Sequence, residues 1–414
     1  SKADPEALSL QIVHLLQEQN TEGLRLLFDE NLKQKLGSDM LKSIAQSLAT
    51  SYGKLDSAAG FMERTIAEGA YYHRELVFEK QNFDLIFSLD SENKIKSFRI
   101  SAPTNKQTWA PPAYVQADKF ETESITIGEK VPLLGDYTNA LGADNTTIVV
   151  FVHGSGPNNM NVRLGPYEFF KDLAYGLATK GISSIRYNKR THDYPTAMSS
   201  KMAELDIDDI VVDDAVLALQ QAKALGADKV ILLGHSLGGH LAPKIAQREA
   251  VDGVSVMAGN SGPLADLIIP QFEHIMKNDS TSGITDFQLS MIKQQVETLK
   301  SKNYDESTGG MALPFGLPGK YWMSLQNYDA AKTSKKQKFP YLILNGERDY
   351  QVTVEEANNW KNGNKNNLSK TIIYPELNHM FFAGSGVCIP AEYEKIGHLN
   401  SVVLTDIIDW IEQL

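Results

Sequence analysis

Val230-Ile231-Leu232-Leu233-Gly234-His235-Ser236-Leu237-Gly238 is the stretch whose reading decides the fold. Four apolar residues of strand length run into a Gly-x-Ser-x-Gly pentapeptide. A helical pattern then follows from Leu237 to about Gln247. This is the pattern of a nucleophile elbow, a strand that turns sharply into a helix with a serine at the apex. The serine needs a strained backbone there so that Oγ projects above the sheet. Gly234 and Gly238 flank the turn because a Cβ would collide with neighbouring backbone. The helix directs its N-terminal amides at the same point, where they favour a developing negative charge.

Two further loops stand downstream, each directly after a strand. Tyr341-Leu342-Ile343-Leu344 reads as a strand, followed by Asn345-Gly346-Glu347-Arg348-Asp349. Ile372-Ile373-Tyr374 reads as another, followed by Pro375-Glu376-Leu377-Asn378-His379. A serine hydroxyl is a weak nucleophile at neutral pH. It needs an imidazole to take its proton and a carboxylate to hold that imidazole in one tautomer. His379 is the expected base, with His398 as its rival. Asp349 and Glu347 are the candidate acids. Upstream, the β-prone run Thr147–Val152 ends in His153-Gly154-Ser155-Gly156-Pro157. A loop of this type commonly donates one backbone N–H to an oxyanion, and the residue after the nucleophile donates the other. Those residues are Ser155 and Leu237.

These residues give the chain from about 119 to its end a resemblance to the α/β-hydrolase superfamily. It is most similar to bacterial carboxylesterases with the phrase Gly346-Glu347-Arg348-Asp349-Tyr350-Gln351-Val352 around the acid. The segment Arg186-Tyr187-Asn188-Lys189-Arg190-Thr191 also resembles that group, although an aspartate often stands where Asn188 is. The resemblance implies Asp349 rather than Glu347 as the acid. It further implies cleavage of small carboxylic esters through an acyl-enzyme on Ser236, without cofactor or metal. Acyl transfer, thioester cleavage and peptide cleavage are the rival activities of the same triad.

The organisation along the chain agrees with two domains, as a length of 414 residues suggests. Residues 6–51 carry helical periodicity, and segments near 57–66, 70–80, 83–90 and 94–102 alternate apolar and polar side chains. Residues 1–103 therefore read as a small α+β module. It resembles an NTF2/cystatin-like domain that would bind a ligand or form a homodimer. The Pro- and Thr-containing stretch 104–118 reads as a linker without regular structure. Residues 119–414 alternate strand and helix, which implies a doubly wound, mostly parallel sheet. That alternation breaks at about 260–339, read as a helical lid with a hinge candidate at Gly309-Gly310. Phe272, Met276, Met291, Phe315, Tyr321 and Trp322 are its bulky groups, and Met380-Phe381-Phe382 is expected to crowd the site beside His379.

A net charge of −11 argues against nucleic acid or an anionic membrane as a partner. No apolar run is long enough to form a transmembrane segment. The single cysteine, Cys388, excludes an internal disulfide and a cysteine-rich metal site. The acidic group Glu204, Asp206, Asp208 and Asp209 has the look of a solvated helix start. The first residue is Ser1 rather than methionine, which suggests a removed leader. A secreted or cell-envelope location is one expectation and the bacterial cytoplasm the other.

Overall fold

A computed structural model describes residues 4–103, 108–361 and 363–414. The chain divides into two compact units, Ser1–Lys106 and Gln107–Leu414.

The first unit begins with helices α1 (Pro5–Gln17), α2 (Thr21–Arg25), α3 (Glu30–Lys35) and α4 (Ser38–Tyr52). Asp4, Asn20 and Asp29 cap the first three by accepting backbone N–H groups that the first turn leaves unpaired. Strands β1 (Leu55–Ile66), β2 (Gly69–Phe78), β3 (Asn82–Leu89) and β4 (Ile95–Ser101) follow as an antiparallel meander in sequence order. Its core joins Leu76, Leu85 and Phe87 of the sheet to Ile12, Leu24 and Phe28 of the helical layer. The helices and meander read from periodicity are therefore present. Within the stretch of helical periodicity, residues 24–28 end α2 and turn so that Phe28 bridges to Ile95.

In the second unit β5 (Phe120–Ile127), β6 (Leu133–Ala140) and β7 (Thr147–Val152) come first. A two-residue pair, β8 (Arg163–Leu164) and β9 (Tyr167–Glu168), leads into α5 (Phe169–Thr179) and β10 (Ser183–Tyr187). Helices α6 (Arg190–Asp193) and α7 (Pro195–Lys201) precede a wide π turn at Asp208–Val212 that opens α8 (Asp213–Ala224). Then come β11 (Lys229–His235), α9 (Leu237–Arg248) and β12 (Gly253–Met257). The insertion holds α10 (Ala265–Asn278), α11 (Asp286–Lys300), α12 (Gly319–Gln326) and α13 (Ala330–Lys335). The chain closes with β13 (Tyr341–Gly346), α14 (Val354–Lys361), β14 (Lys370–Tyr374) and α15 (Ser401–Ile411).

The large sheet runs β14-β13-β12-β11-β7-β10-β6-β5. From β14 to β10 every pairing is parallel, and only β6 is reversed, pairing antiparallel with β10 on one side and β5 on the other. Alternate residues feed two layers, as a period of two requires. Ile148, Val150 and Val152 of β7 face α8 and α9, while Val149 and Phe151 face α5 and α15. From β7 the chain goes to one side for β10 and returns to the other for β11. The switch point therefore falls between β7 and β11, where their C-terminal loops leave a crevice.

The expected linker is held at two points of its described part. Residues 104–107 lie outside the described residues. Beyond them, Trp109 donates to buried Asp172 at 2.7 Å and Tyr114 donates to the Leu399 carbonyl at 3.0 Å. Aromatic bodies with one donor each need a surface with an acceptor, and α5 with the 398–400 loop supplies both. The lid's bulky groups also divide. Trp322 and Tyr321 are buried in the core, whereas Phe315 and Met291 are exposed.

Candidate active site

Ser236 stands between β11 and α9 with φ of +54° and ψ of −120°. A β-carbon on a residue in that conformation is strained, and the surrounding packing holds it there. The flanking glycines are the reason the turn closes. A Cβ on Gly234 would lie 2.2 Å from the Gly238 carbonyl oxygen, and one on Gly238 2.3 Å from the Val152 carbonyl oxygen. The Ser236 N–H donates to Met257 O at 2.9 Å, which ties the apex to the end of β12. The serine itself is half-buried in an otherwise buried segment.

His379 and Asp349 meet as their loop positions predict. His379 Nδ1 lies 2.7 Å from Asp349 Oδ2, and both side chains are buried. The other carboxylate oxygen accepts the N–H groups of Gln351 at 2.8 Å and Val352 at 2.9 Å. Asp349 is thus held on both oxygens, and only Nε2 of the imidazole remains to exchange a proton with a hydroxyl. Glu347 is exposed, so the sheet geometry brings Asp349 and not Glu347 to the histidine. The two loops are stitched together by backbone. Glu347 N donates to Tyr374 O and Arg348 N to Leu377 O. A Cβ on Gly346 would come within 2.2 Å of Leu377 O. Arg348 adds a bidentate pair with Glu392 at 2.6 and 2.7 Å.

His235, inside the elbow, is buried and donates from Nε2 to the His379 carbonyl at 3.0 Å. Burial pushes its pKa down to about 3, aided by the nearby His379. Such an imidazole is neutral, and its Nε2–H is the donor to that carbonyl. His235 therefore clips the nucleophile turn to the histidine loop.

The loop after β7 lies directly against the serine. A Cβ on Gly154 would sit 3.0 Å from Ser236 Cβ and 3.6 Å from its Oγ. Ser155 is exposed, and Leu237 opens α9 with an N–H that has no intrahelical acceptor. His153 is anchored by Nε2 to Tyr187 O at 2.6 Å, its pKa held to about 3 by burial and by the charge on Lys189.

His398, the rival base, is elsewhere. Its Nδ1 lies 3.0 Å from Asp172, the same carboxylate that accepts Trp109 Nε1 and Leu399 N. His240 is buried against Asn260 at 2.7 Å. The acidic group at 204–209 acts as a helix start, with Asp206 accepting the N–H groups of Asp208 and Asp209. Met380, Phe381 and Phe382, expected to crowd the site, follow His379 directly. They are buried in the core, Phe382 against Tyr167 and Phe381 against Phe169 and Tyr374, because the turn after His379 folds back onto β9 and α5. Among the described residues no group of three or more His, Cys, Asp or Glu is placed to hold a metal, and no helix is long and apolar enough to cross a membrane. Lys189, buried with Nζ 2.8 Å from Gly154 O, is the site residue that sequence reasoning missed. Its signal lay in the Arg186–Thr191 segment, singled out there by resemblance alone.

A family model described as the alpha/beta hydrolase family matches residues 149–383. The chain is 32% identical over 412 residues to Esterase EstD of Thermotoga maritima, covering 99% of this chain and 95% of that protein. Among solved structures it is similar to Est1E from Butyrivibrio proteoclasticus with ferulic acid bound, at 15% identity and a TM-score of 0.45, covering 70% of this chain and 98% of the other. It is also similar to a soluble variant of monoglyceride lipase from Saccharomyces cerevisiae, at 15% identity and a TM-score of 0.45, covering 73% and 98%. With a family match over more than half its length and a relative aligned from end to end, the chain belongs to the alpha/beta hydrolase family.

Proposed function

We propose that this protein hydrolyses carboxylic esters through an acyl-enzyme on Ser236. Ser236 Oγ attacks the ester carbonyl as His379 Nε2 takes its proton. His379 then gives that proton to the leaving alcohol. Asp349 holds the Nδ1–H and stabilises the imidazolium. The N–H groups of Ser155 and Leu237 hold the oxyanion. Water, activated by the same histidine, releases the acid and restores the serine. The observation that carries this reading is the 2.7 Å contact of His379 with a carboxylate fixed on both oxygens, in a family member whose strained serine opens α9. The similarity to a protein named an esterase supports esters as the substrate class.

The acyl pocket is read as small. That reading rests on the sequence of the insertion, which lacks the long, continuous apolar face of a cap that opens on a lipid surface; within it Phe272, Met291 and Phe315 line an open cleft of about 410 Å³. The first unit is read as an NTF2/cystatin-like binding or dimerisation module, on its meander with helices over one face.

Ser236→Ala tests the assignment. It is expected to abolish fluorophosphonate labelling and to lower kcat by roughly 10⁴–10⁶ on p-nitrophenyl esters. For the parent protein, kcat/KM is expected to peak at short acyl chains. Labelling that persists in the alanine variant refutes the nucleophile, and a maximum at palmitate refutes the small pocket.

A further inference from the structure

Gly154 O, the carbonyl that Lys189 holds, belongs to the same peptide unit as the Ser155 N–H. Lys189 follows β10, is 4% exposed, and directs Nζ to that oxygen at 2.8 Å. Asn158 Nδ2 also reaches Gly154 O, at 3.3 Å, and is shared with the carbonyls of Ser155 and Gly156. The lysine is the shorter donor and the one that carries charge. Its own N–H donates to Asn158 O at 3.1 Å, which locks the segment to the loop.

A buried amine is costly, and this one has a carbonyl rather than a carboxylate as its partner. Burial pushes its pKa down to about 7. The titratable group beside it is His153 at the end of β7, whose own pKa the lysine's charge helps to lower. His153 is neutral there. A neutral amide could hold a loop carbonyl without burying charge, so simple anchoring leaves the choice of lysine without a physical reason.

We infer that Lys189 is a positioning residue for ester hydrolysis, which aims and polarises the Ser155 N–H toward the oxyanion formed on Ser236. The inference rests on the esterase reading above. In a trans peptide unit the C=O and N–H point in opposite directions across one rigid plane. Fixing Gly154 O at Lys189 therefore fixes the direction of the Ser155 N–H on the far side, where Gly154 packs against Ser236. Donation to the carbonyl also polarises the amide and makes its N–H a stronger donor. Lys189 touches no reacting atom. It acts on the donor, and that donor matters most when charge develops on the substrate oxygen.

The test compares the full-length parent with K189M and K189Q on p-nitrophenyl acetate and a trifluoromethyl ketone inhibitor. Loss of a direct oxyanion donor lowers kcat by about 10²–10³. One peptide unit removed, K189M is expected to lower kcat about 10- to 100-fold, with KM within about threefold. Affinity for the trifluoromethyl ketone, which forms a tetrahedral adduct, falls by the same factor as kcat/KM. The melting temperature of K189M equals or exceeds that of the parent, because a buried charge has been removed. K189Q keeps a donor and drops the charge, so it is expected to fall between the two, and it carries the test if K189M does not fold. Unchanged kcat and inhibitor affinity in a folded variant overturn the inference. So does an activity loss matched by lower melting temperature with inhibitor affinity tracking KM alone, which marks a purely structural anchor. A parent inert toward every ester overturns the esterase reading and this inference with it, whereas an active parent equalled by both variants overturns the inference alone.

Discussion

Ser236 and Asp349 are each set in place by a different local device. The serine is held by strain, with φ of +54°, and the aspartate by two backbone N–H groups. Asp349→Asn keeps the shape and offers the wrong tautomer to the imidazole. It is expected to lower kcat by about 10⁴ with little change in KM, while Glu347→Gln changes either by less than about threefold. Steady-state kinetics on one ester decide between them, and the reverse ranking would move the acid to Glu347. The buried histidines carry a pH signature of stability. His153 and His235 protonate near pH 6.5 when unfolded and only near pH 3 when folded. Their contribution is therefore full above about pH 6.5 and is lost as pH falls toward 3, by about 1.4 kcal/mol per pH unit for each group. His235→Asn should flatten the fall in urea-unfolding stability between pH 6.5 and 4.5 by about that slope. Parallel curves for parent and variant would show that the imidazole is charged in the fold.

At the scale of elements, the site is four loops brought to one crevice by parallel pairing. β7, β11, β13 and β14 end together because the registers across the sheet align, and the glycines at the ends of the first three let the backbones touch. Gly346→Ala probes that contact. The new Cβ would meet the carbonyls of Leu377 and Asn378, backbone that cannot swing aside. A cost of about 1–3 kcal/mol in stability is expected. A displacement near 1 Å between Asp349 and His379 should also cost about 10²-fold in kcat. Thermal melts with kinetics on the same preparation measure both, and a variant with parental kcat would show that the loops are not rigidly coupled.

For the whole molecule, the two units have separate cores. A chain beginning at Thr108 is expected to fold and to keep its kcat on a small activated ester. One beginning at Val115 loses the Trp109 and Tyr114 bonds to Asp172 and Leu399. It should melt lower, by roughly 2–4 °C for each 1 kcal/mol lost. Aggregation of the Thr108 chain would mean that the units depend on one another to fold.

By itself the sequence determined the alternation of strand and helix, the elbow and the loops that carry Asp349 and His379. These are local properties: hydrophobic period, turn residues and the steric demand for glycine act within a few positions. The meander and helices of the first unit were legible for the same reason. The preference for His379 over His398 was legible from its place in the loop after a strand, but which carboxylate lies opposite each, Asp349 or Asp172, was decided by the tertiary structure. It also showed that Met380, Phe381 and Phe382 are buried in the core, and that Trp109 of the expected linker bonds to Asp172 on α5. The role of Lys189 was likewise decided in three dimensions. A lysine next to an arginine reads as surface, and its burial beneath Gly154 follows from β10 lying beside β7 in the sheet. Partners across tens or hundreds of residues are chosen by sheet order and packing, and no local pattern encodes them.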